Sequence, residues 1–204
     1  MKSILLFLCL SFSTLGAEFK HFFPHLMKSE GLFFVIVQYD RGGATKFGVT
    51  LSTYQMWCNQ TVIVYVSCDK DNNGILNAND LRLTTLKDVF PIYQIRYWDN
   101  WNLNKINNQA IAELICDMLV NQGPGRNFAH TKAIQKMLGM KKQDGVIGSR
   151  TIRLINHCNP SIFYNQLFLY RYRYYCSIGQ GRQRKFLRGW LNRIITLKKL
   201  HSIK

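Results

Sequence analysis

The stretch Ile111-Ala112-Glu113-Leu114-Ile115-Cys116-Asp117-Met118-Leu119 decides the fold class. Ile111, Leu114, Ile115, Met118 and Leu119 recur at the spacing of one face of an α-helix, and Gly123-Pro124-Gly125 ends it. Downstream, a shorter helix runs to Leu138-Gly139, the loop Asp144-Gly145-Val146-Ile147-Gly148 follows, and Ser149 stands where it would cap the next helix. Asn159-Pro160 joins a cap to proline at the first helical position. It opens a long segment that ends in Tyr170-Arg171-Tyr172-Arg173-Tyr174-Tyr175. The last helix carries Phe186, Leu187, Trp190, Leu191 and Ile194 on one side, among basic residues from Arg182 to Lys199.

Upstream the helical reading continues. Thr85 and Asp88 have capping-box spacing ahead of Val89, Phe90, Tyr93 and Tyr97. Phe19, Phe22, Phe23, Leu26 and Met27 form an amphipathic stripe in which Pro24 marks a start or a kink, and Glu30-Gly31 is its stop. Two stretches break the period. Asp40-Arg41-Gly42-Gly43-Ala44-Thr45 reads as a turn, and Thr61-Val62-Ile63-Val64-Tyr65-Val66 as a strand leading into a polar loop. The fold class is therefore mainly α with a small β element.

The chain has 204 residues, 47% of them hydrophobic, enough for a true core. Charge is the outlier: 27 Lys+Arg against 11 Asp+Glu give a net +16. Such a surface favours a polyanion, whether nucleic acid, anionic membrane or acidic wall polymer. Lys2 followed by the apolar run Ile4–Leu15 and the small residues Gly16-Ala17 reads as a signal peptide over 1–17, too short to span a bilayer. The expected location is therefore secreted or periplasmic, and no transmembrane segment is expected. Without Cys9 the cysteines are odd in number: Cys58–Cys68 and Cys158–Cys176 are local pairs, leaving Cys116 a buried thiol on a helix face. No CxxC, P-loop or dinucleotide fingerprint is present, and His21 and His25 lack the intervening Glu of a zinc protease.

Glu30 is the candidate for chemistry. A carboxylic acid at the end of an apolar helix, followed by Gly31 and then Phe33 and Phe34, is placed for the partial desolvation that suits a general acid. By periodicity alone it is equally an ordinary glutamate at a helix end.

The order of blocks around it adds information. Glu30-Gly31, Asp40–Thr45 and Gly48-Val49-Thr50, then Tyr97-Trp98-Asp99, Asn121–Gly125, Asp144–Gly148 and Lys185–Arg193 together resemble glycoside hydrolase family 108, lysozyme-like N-acetylmuramidases. The last three blocks resemble the peptidoglycan-binding module that accompanies that family. The resemblance runs from about Phe19 to Ile194 and departs at Leu32–Tyr39, where the family's second glycine and polar Asn-Asp pair are missing. It implies a lysozyme-like helical fold with a catalytic domain over 18–120, a helical wall-binding module over 121–204, and Glu30 as catalytic acid. A glycosidase needs a second group. Asp40 could activate water or simply cap the glycine turn, and Thr45 could orient a water in its place. Tyr97, Trp98 and Asn121 are the candidate substrate contacts, with core packing or helix capping as the alternative for each. The expected partner is peptidoglycan, the expected state a monomer, and no catalytic cofactor is expected.

Asp69-Lys70-Asp71-Asn72-Asn73-Gly74-Ile75-Leu76-Asn77-Ala78-Asn79-Asp80 matches an EF-hand-type calcium loop. Asp69, Asp71 and Asn73 supply side-chain oxygens, Ile75 its carbonyl and Asp80 the closing carboxylate. Asn77 could bind directly or through water. An asparagine-rich turn without metal is the alternative. The readings that compete with a muramidase are a non-catalytic wall-binding protein and a basic nucleic-acid-binding protein, the latter opposed by the signal peptide and not expected.

Overall fold

The computed structural model describes residues 16–31, 34–36, 43–60 and 68–201. The expected leader as far as residue 15, Asp40 and the strand expected over 61–66 lie outside the described residues. Within them the chain forms α1 (Phe19–Glu30), β1 (Val35–Ile36), β2 (Ala44–Lys46), β3 (Val49–Thr50), α2 (Leu51–Gln60), α3 (Ala78–Leu83) and α4 (Leu86–Tyr93). Then come α5 (Gln109–Asn121), α6 (Ala129–Met137), α7 (Ser149–His157), α8 (Pro160–Ile178) and α9 (Arg184–Leu200). The mainly helical class holds.

α5 is the axis of the molecule. Asn108 caps it by accepting from the Ile111 N–H at 3.0 Å. Its sequence stripe implies one apolar face, yet every residue from Ala110 to Leu119 is buried, Glu113 and Asp117 included. Helices close around it on all sides, so both acids need partners inside the protein. Glu113 accepts from Gln109 Nε2 at 2.7 Å and pairs with His201 Nε2 at 2.8 Å. The partners of Asp117 belong to the candidate site.

α1 buries the expected stripe of Phe19, Phe22, Phe23, Leu26 and Met27. It starts at Phe19 and carries Pro24 inside, so the proline does not begin the helix. Phe19 and Phe23 meet Phe90 of α4 at ring separations of 5.1 and 4.9 Å, and Phe19 also meets Trp98 at 5.5 Å. The same apolar cluster continues into α8 and α9 through Phe163, Tyr164, Leu167 and Leu197, so the C-terminal helices share the core of the N-terminal ones.

The sheet is antiparallel in the order β1-β2-β3, with Thr45 opposite Val35 on one side and Thr50 on the other. Ala44 and Thr45 are thus strand residues, where the sequence suggests a turn. The β2–β3 connection is the two-residue turn Phe47-Gly48, with φ of 51° and 74°. Two successive positive φ angles make the tight hairpin that matches strand twist. Lys46 reaches from β2 to the carbonyls of Arg82 and Thr84, at 2.6 Å for the latter, which ties the hairpin to the end of α3.

The helix starts are largely as expected. Asp88 Oδ2 accepts from the Thr85 N–H at 2.6 Å, and Asn159 accepts from the Ile162 N–H at 3.0 Å behind Pro160. Ser149 is the first residue of α7 rather than its cap, a place taken by Gly148. Cys58 and Cys68 form the disulfide. Cys158 and Cys176 do not, and Cys116 is a buried thiol. Cys158 precedes α8 and Cys176 lies in its last turn, so about 24 Å of helix separates them at about 1.5 Å per residue. A disulfide bridges Cα atoms about 4.4–6.8 Å apart.

Candidate functional site

Glu30 is the last residue of α1, and Gly31, at φ 86°, turns the chain out of the helix. Its carboxylate is half-buried and meets three elements. Oε1 accepts from Arg193 Nη2 of α9 at 2.6 Å. Oε2 lies against the hairpin turn, so close that a Cβ on Gly48 would stand 2.7 Å from it and also strike the Tyr93 hydroxyl. Tyr93, on α4, donates that hydroxyl to the Phe47 carbonyl at 2.9 Å. Burial, and then the nearby Glu30 charge, push the Tyr93 hydroxyl far above its ordinary range, so it stays a neutral donor. Glu30 is thus partly desolvated at the end of its helix, but its surroundings are not only apolar. A guanidinium hydrogen-bonds it.

Arg193 is in turn held by Asp117. Nε donates to Asp117 Oδ1 at 2.8 Å, while Asp117 Oδ2 accepts from Arg171 Nη2 at 2.7 Å. Arg171, fully buried, also donates to Gln122 Oε1 at 2.8 Å and to the Leu114 carbonyl at 3.2 Å. The result is a row of alternating charges, Arg171–Asp117–Arg193–Glu30, running from the core to the surface. Burial opposes charge on Asp117, but Arg171 and Arg193 outweigh it and hold the carboxyl below its ordinary value. Burial opposes charge on Arg193 too, and the two carboxylates raise its affinity for the proton regardless.

Glu30 lines a small cavity of about 70 Å³ with Gly48, Thr53, Tyr93 and Tyr97. Arg193 lines a larger groove of about 790 Å³ between α1, α5 and α9, which also includes Lys28, Asn121, Trp190, Asn192 and Lys199. The Glu30–Arg193 pair therefore joins the two spaces.

Of the residues proposed from sequence, Tyr97 comes beside Glu30 and Asn121 into the adjoining groove, its Oδ1 accepting from the Tyr175 hydroxyl at 2.6 Å. Thr45 sits in the middle strand of the sheet whose hairpin turn packs on Glu30. Asp40 lies outside the described residues. Trp98 is not a surface for sugar. It is 1% exposed, its ring is enclosed by Phe19 and Phe22, and the π-helical turn Gln94–Trp98 rotates it into the core. Sequence reasoning missed Gly48, Tyr93, Asp117, Arg171 and Arg193 as parts of the site. A signal was present for Asp117, one of two acids (with Glu113) within an apolar helical run, a place that calls for a buried partner.

The candidate cation loop brings its three acidic residues together. Carboxylate oxygens of Asp69, Asp71 and Asp80 lie within 4.8 Å of one another. Asn72 and Gly74 take the left-handed conformation, at φ 58° and 79°, that curls the loop around this point. Asp69 accepts from the N–H groups of Asn73 at 3.0 Å and Gly74 at 2.7 Å, and Asn73 Oδ1 from Ile75 at 2.8 Å. Asp80 is fully buried and does double duty, its Oδ2 accepting from the Asn77 N–H at 2.8 Å as the capping box of α3. The loop lysine, Lys70, pairs with Asp88 at 2.8 Å. An all-oxygen set of three converging carboxylates suits a hard divalent cation such as calcium. The loop is fixed to α2 by Cys58–Cys68, by the Tyr54 hydroxyl on the Cys68 carbonyl at 2.8 Å and by Gln55 on the Leu76 carbonyl at 2.7 Å.

Two stretches of the chain match known families. Residues 23–123 match the family described as Glycosyl hydrolase 108, and residues 130–195 the one described as Predicted Peptidoglycan domain. The solved structure of Brucella abortus SagA is similar over 91% of this chain and 94% of that one, with 24% identity and a TM-score of 0.67. No curated protein matches. No helix among the described residues is long and apolar enough to cross a membrane.

Proposed function

We propose, for a chain that belongs to the glycosyl hydrolase 108 family and carries a peptidoglycan domain behind it, a muramidase in which Glu30 is the general acid. The bond cleaved is the β-1,4 linkage between N-acetylmuramic acid and N-acetylglucosamine. The observation that carries this reading is the position of Glu30 Oε2. It belongs to the one carboxylate that lines the small cavity among its described walls, over a glycine and beside Tyr97.

In the reaction, the proton on Oε2 passes to the glycosidic oxygen as its bond to C1 breaks and the bonding pair goes to that oxygen. A water then adds to C1 and gives its proton to a base. Asp117 is unsuited to be that base, because both its oxygens are held by arginines and it is 3% exposed. Asp40 and Thr45 remain the proposals for positioning the water. Tyr97 offers a ring edge to the sugar, and Asn121 an amide in the groove.

The leader over 1–17 supports export to the wall, and the net charge of +16 supports retention on an anionic polymer. Calcium in the 69–80 loop is a structural part of the same reading. Bound there, it would offset most of the charge of the three carboxylates, and Asp69, Asp71, Asn73, Ile75 and Asp80 would hold it. The test is clearing of purified cell walls, with release of reducing ends, by wild type and Glu30→Gln. Clearing by the wild type alone is the expected result. Walls left intact by a wild type that still sediments with them would make this a wall-binding protein without hydrolase activity.

A further inference from the structure

The ion pair at Glu30 crosses from one module to the other. Arg193 lies 163 residues downstream, in α9, inside the stretch that matches the peptidoglycan domain. Its carboxylate partner lies at the end of α1, inside the stretch that matches the glycosyl hydrolase. We propose that Arg193 is a positioning residue of the hydrolytic site, so that the C-terminal module completes that site as well as any wall-binding surface. This inference rests on the muramidase reading.

Three observations carry it. First, Arg193 is fixed before it meets Glu30. Asp117 takes its Nε, and Asp117 is itself clamped by Arg171, which is buried and anchored to Gln122 and to the α5 backbone. A donor so constrained delivers its Nη2 to one point. Second, that point is Oε1 of Glu30, which leaves Oε2 on the cavity side over Gly48. Arg193 thereby selects which oxygen carries the transferable proton and which side-chain conformation presents it. Glu30 has need of this, being followed at once by Gly31 and having a long side chain at a helix end. Third, Asp117 competes with Glu30 for the same guanidinium. The positive charge is shared, so Glu30 is oriented by a cation that another carboxylate already partly satisfies.

The experiment is steady-state hydrolysis of soluble peptidoglycan glycan fragments by the full chain and its variants. Arg193→Gln should lower kcat by about 10- to 100-fold, the scale of a catalytic group displaced by about 1 Å, with KM changed less than about twofold. Arg193→Lys should recover part of that loss, since an ammonium can reach one carboxylate but not span both. Sedimentation with intact walls should be unaffected by either. Glu30→Gln is the control for the underlying reading. If it stays active, the assignment of Glu30 as the acid fails, and Arg193 has no acid to position. If it is inactive while Arg193→Gln matches wild type in kcat, the positioning role alone fails. A rise in kcat for Arg193→Gln would also overturn the proposal, making the contact an inhibitory one. Should Arg193→Gln not fold, Arg193→Lys decides: kcat about tenfold down at constant KM supports the role, and unchanged kcat refutes it.

Discussion

Gly48 and Glu30 are packed so closely that the missing side chain of one makes room for the carboxylate of the other. A Cβ at Gly48 would stand 2.7 Å from Glu30 Oε2 and 3.0 Å from Glu30 Cβ. The backbone there also has φ 74°, which costs a residue with a side chain about 1–2 kcal/mol. Gly48→Ala should therefore lose about that much stability in denaturant unfolding. Its wall-clearing rate should fall at least about tenfold because Glu30 must move. Full activity in a folded Gly48→Ala protein would show that the glycine serves only the hairpin.

The cation loop is joined to this hairpin by α2 on one side and, through α3 and Lys46, by β2 on the other. Calcium should therefore stabilise the site along with the loop. At about 100 times its dissociation constant a ligand that binds only the folded state adds about 2.7 kcal/mol. Melting in millimolar calcium should occur several degrees above melting in EDTA, and Asp71→Asn should abolish most of that difference. An identical melting temperature in the two buffers would remove calcium from the account.

How much of this was readable in advance follows from what sequence periodicity encodes. α1, α4 and α5 were legible because their apolar residues repeat every three or four positions, and α8 because its start at Asn159-Pro160 is a local signal. Glu30 was singled out by the order of blocks along the chain, and the 69–80 loop by its spacing of oxygen side chains around a glycine. The row Arg171–Asp117–Arg193–Glu30 was not, since its members come from four helices and no local rule pairs residues 163 apart. The sheet over 35–50 was not legible for a related reason. Its strands are two or three residues long, too short for alternation to register, and the glycines beside them read as a turn.

The buried pair Asp117–Arg171 gives the fold a defined acid sensitivity. Asp117 titrates below its ordinary value of about 3.9, because the two arginines outweigh its burial. Its contribution is complete above that ordinary value and disappears as pH falls through the lower, folded one. Arg171→Met, which strips one partner from a buried charge, should cost about 3 kcal/mol at pH 7. The gap from wild type should persist to about pH 4 and narrow only below it. Chemical denaturation at pH 7, 5 and 3 measures this, and a gap already closed at pH 5 would assign the effect to another group.

Tyr97 and Trp98 are neighbours with opposite duties, and their variants should separate cleanly. The π-helical turn Gln94–Trp98 adds a residue to the helical repeat, so a 3.6-residue reading assigns the wrong faces here. Tyr97 is half-buried, packs on Tyr93 at a ring separation of 5.8 Å and lines the Glu30 cavity. Trp98 is enclosed by α1. Tyr97→Ala should leave melting within a few degrees of wild type while lowering kcat/KM about 3- to 10-fold, equivalent to about 0.7–1.4 kcal/mol of ring contact. Trp98→Ala should do the reverse, losing about 3–5 kcal/mol of stability through the cavity it opens. Whatever Trp98→Ala protein remains folded should turn over near the wild-type rate per active molecule. If it were instead stable and slow, the tryptophan would have to face substrate, and its enclosure by Phe19 and Phe22 would have to open in solution.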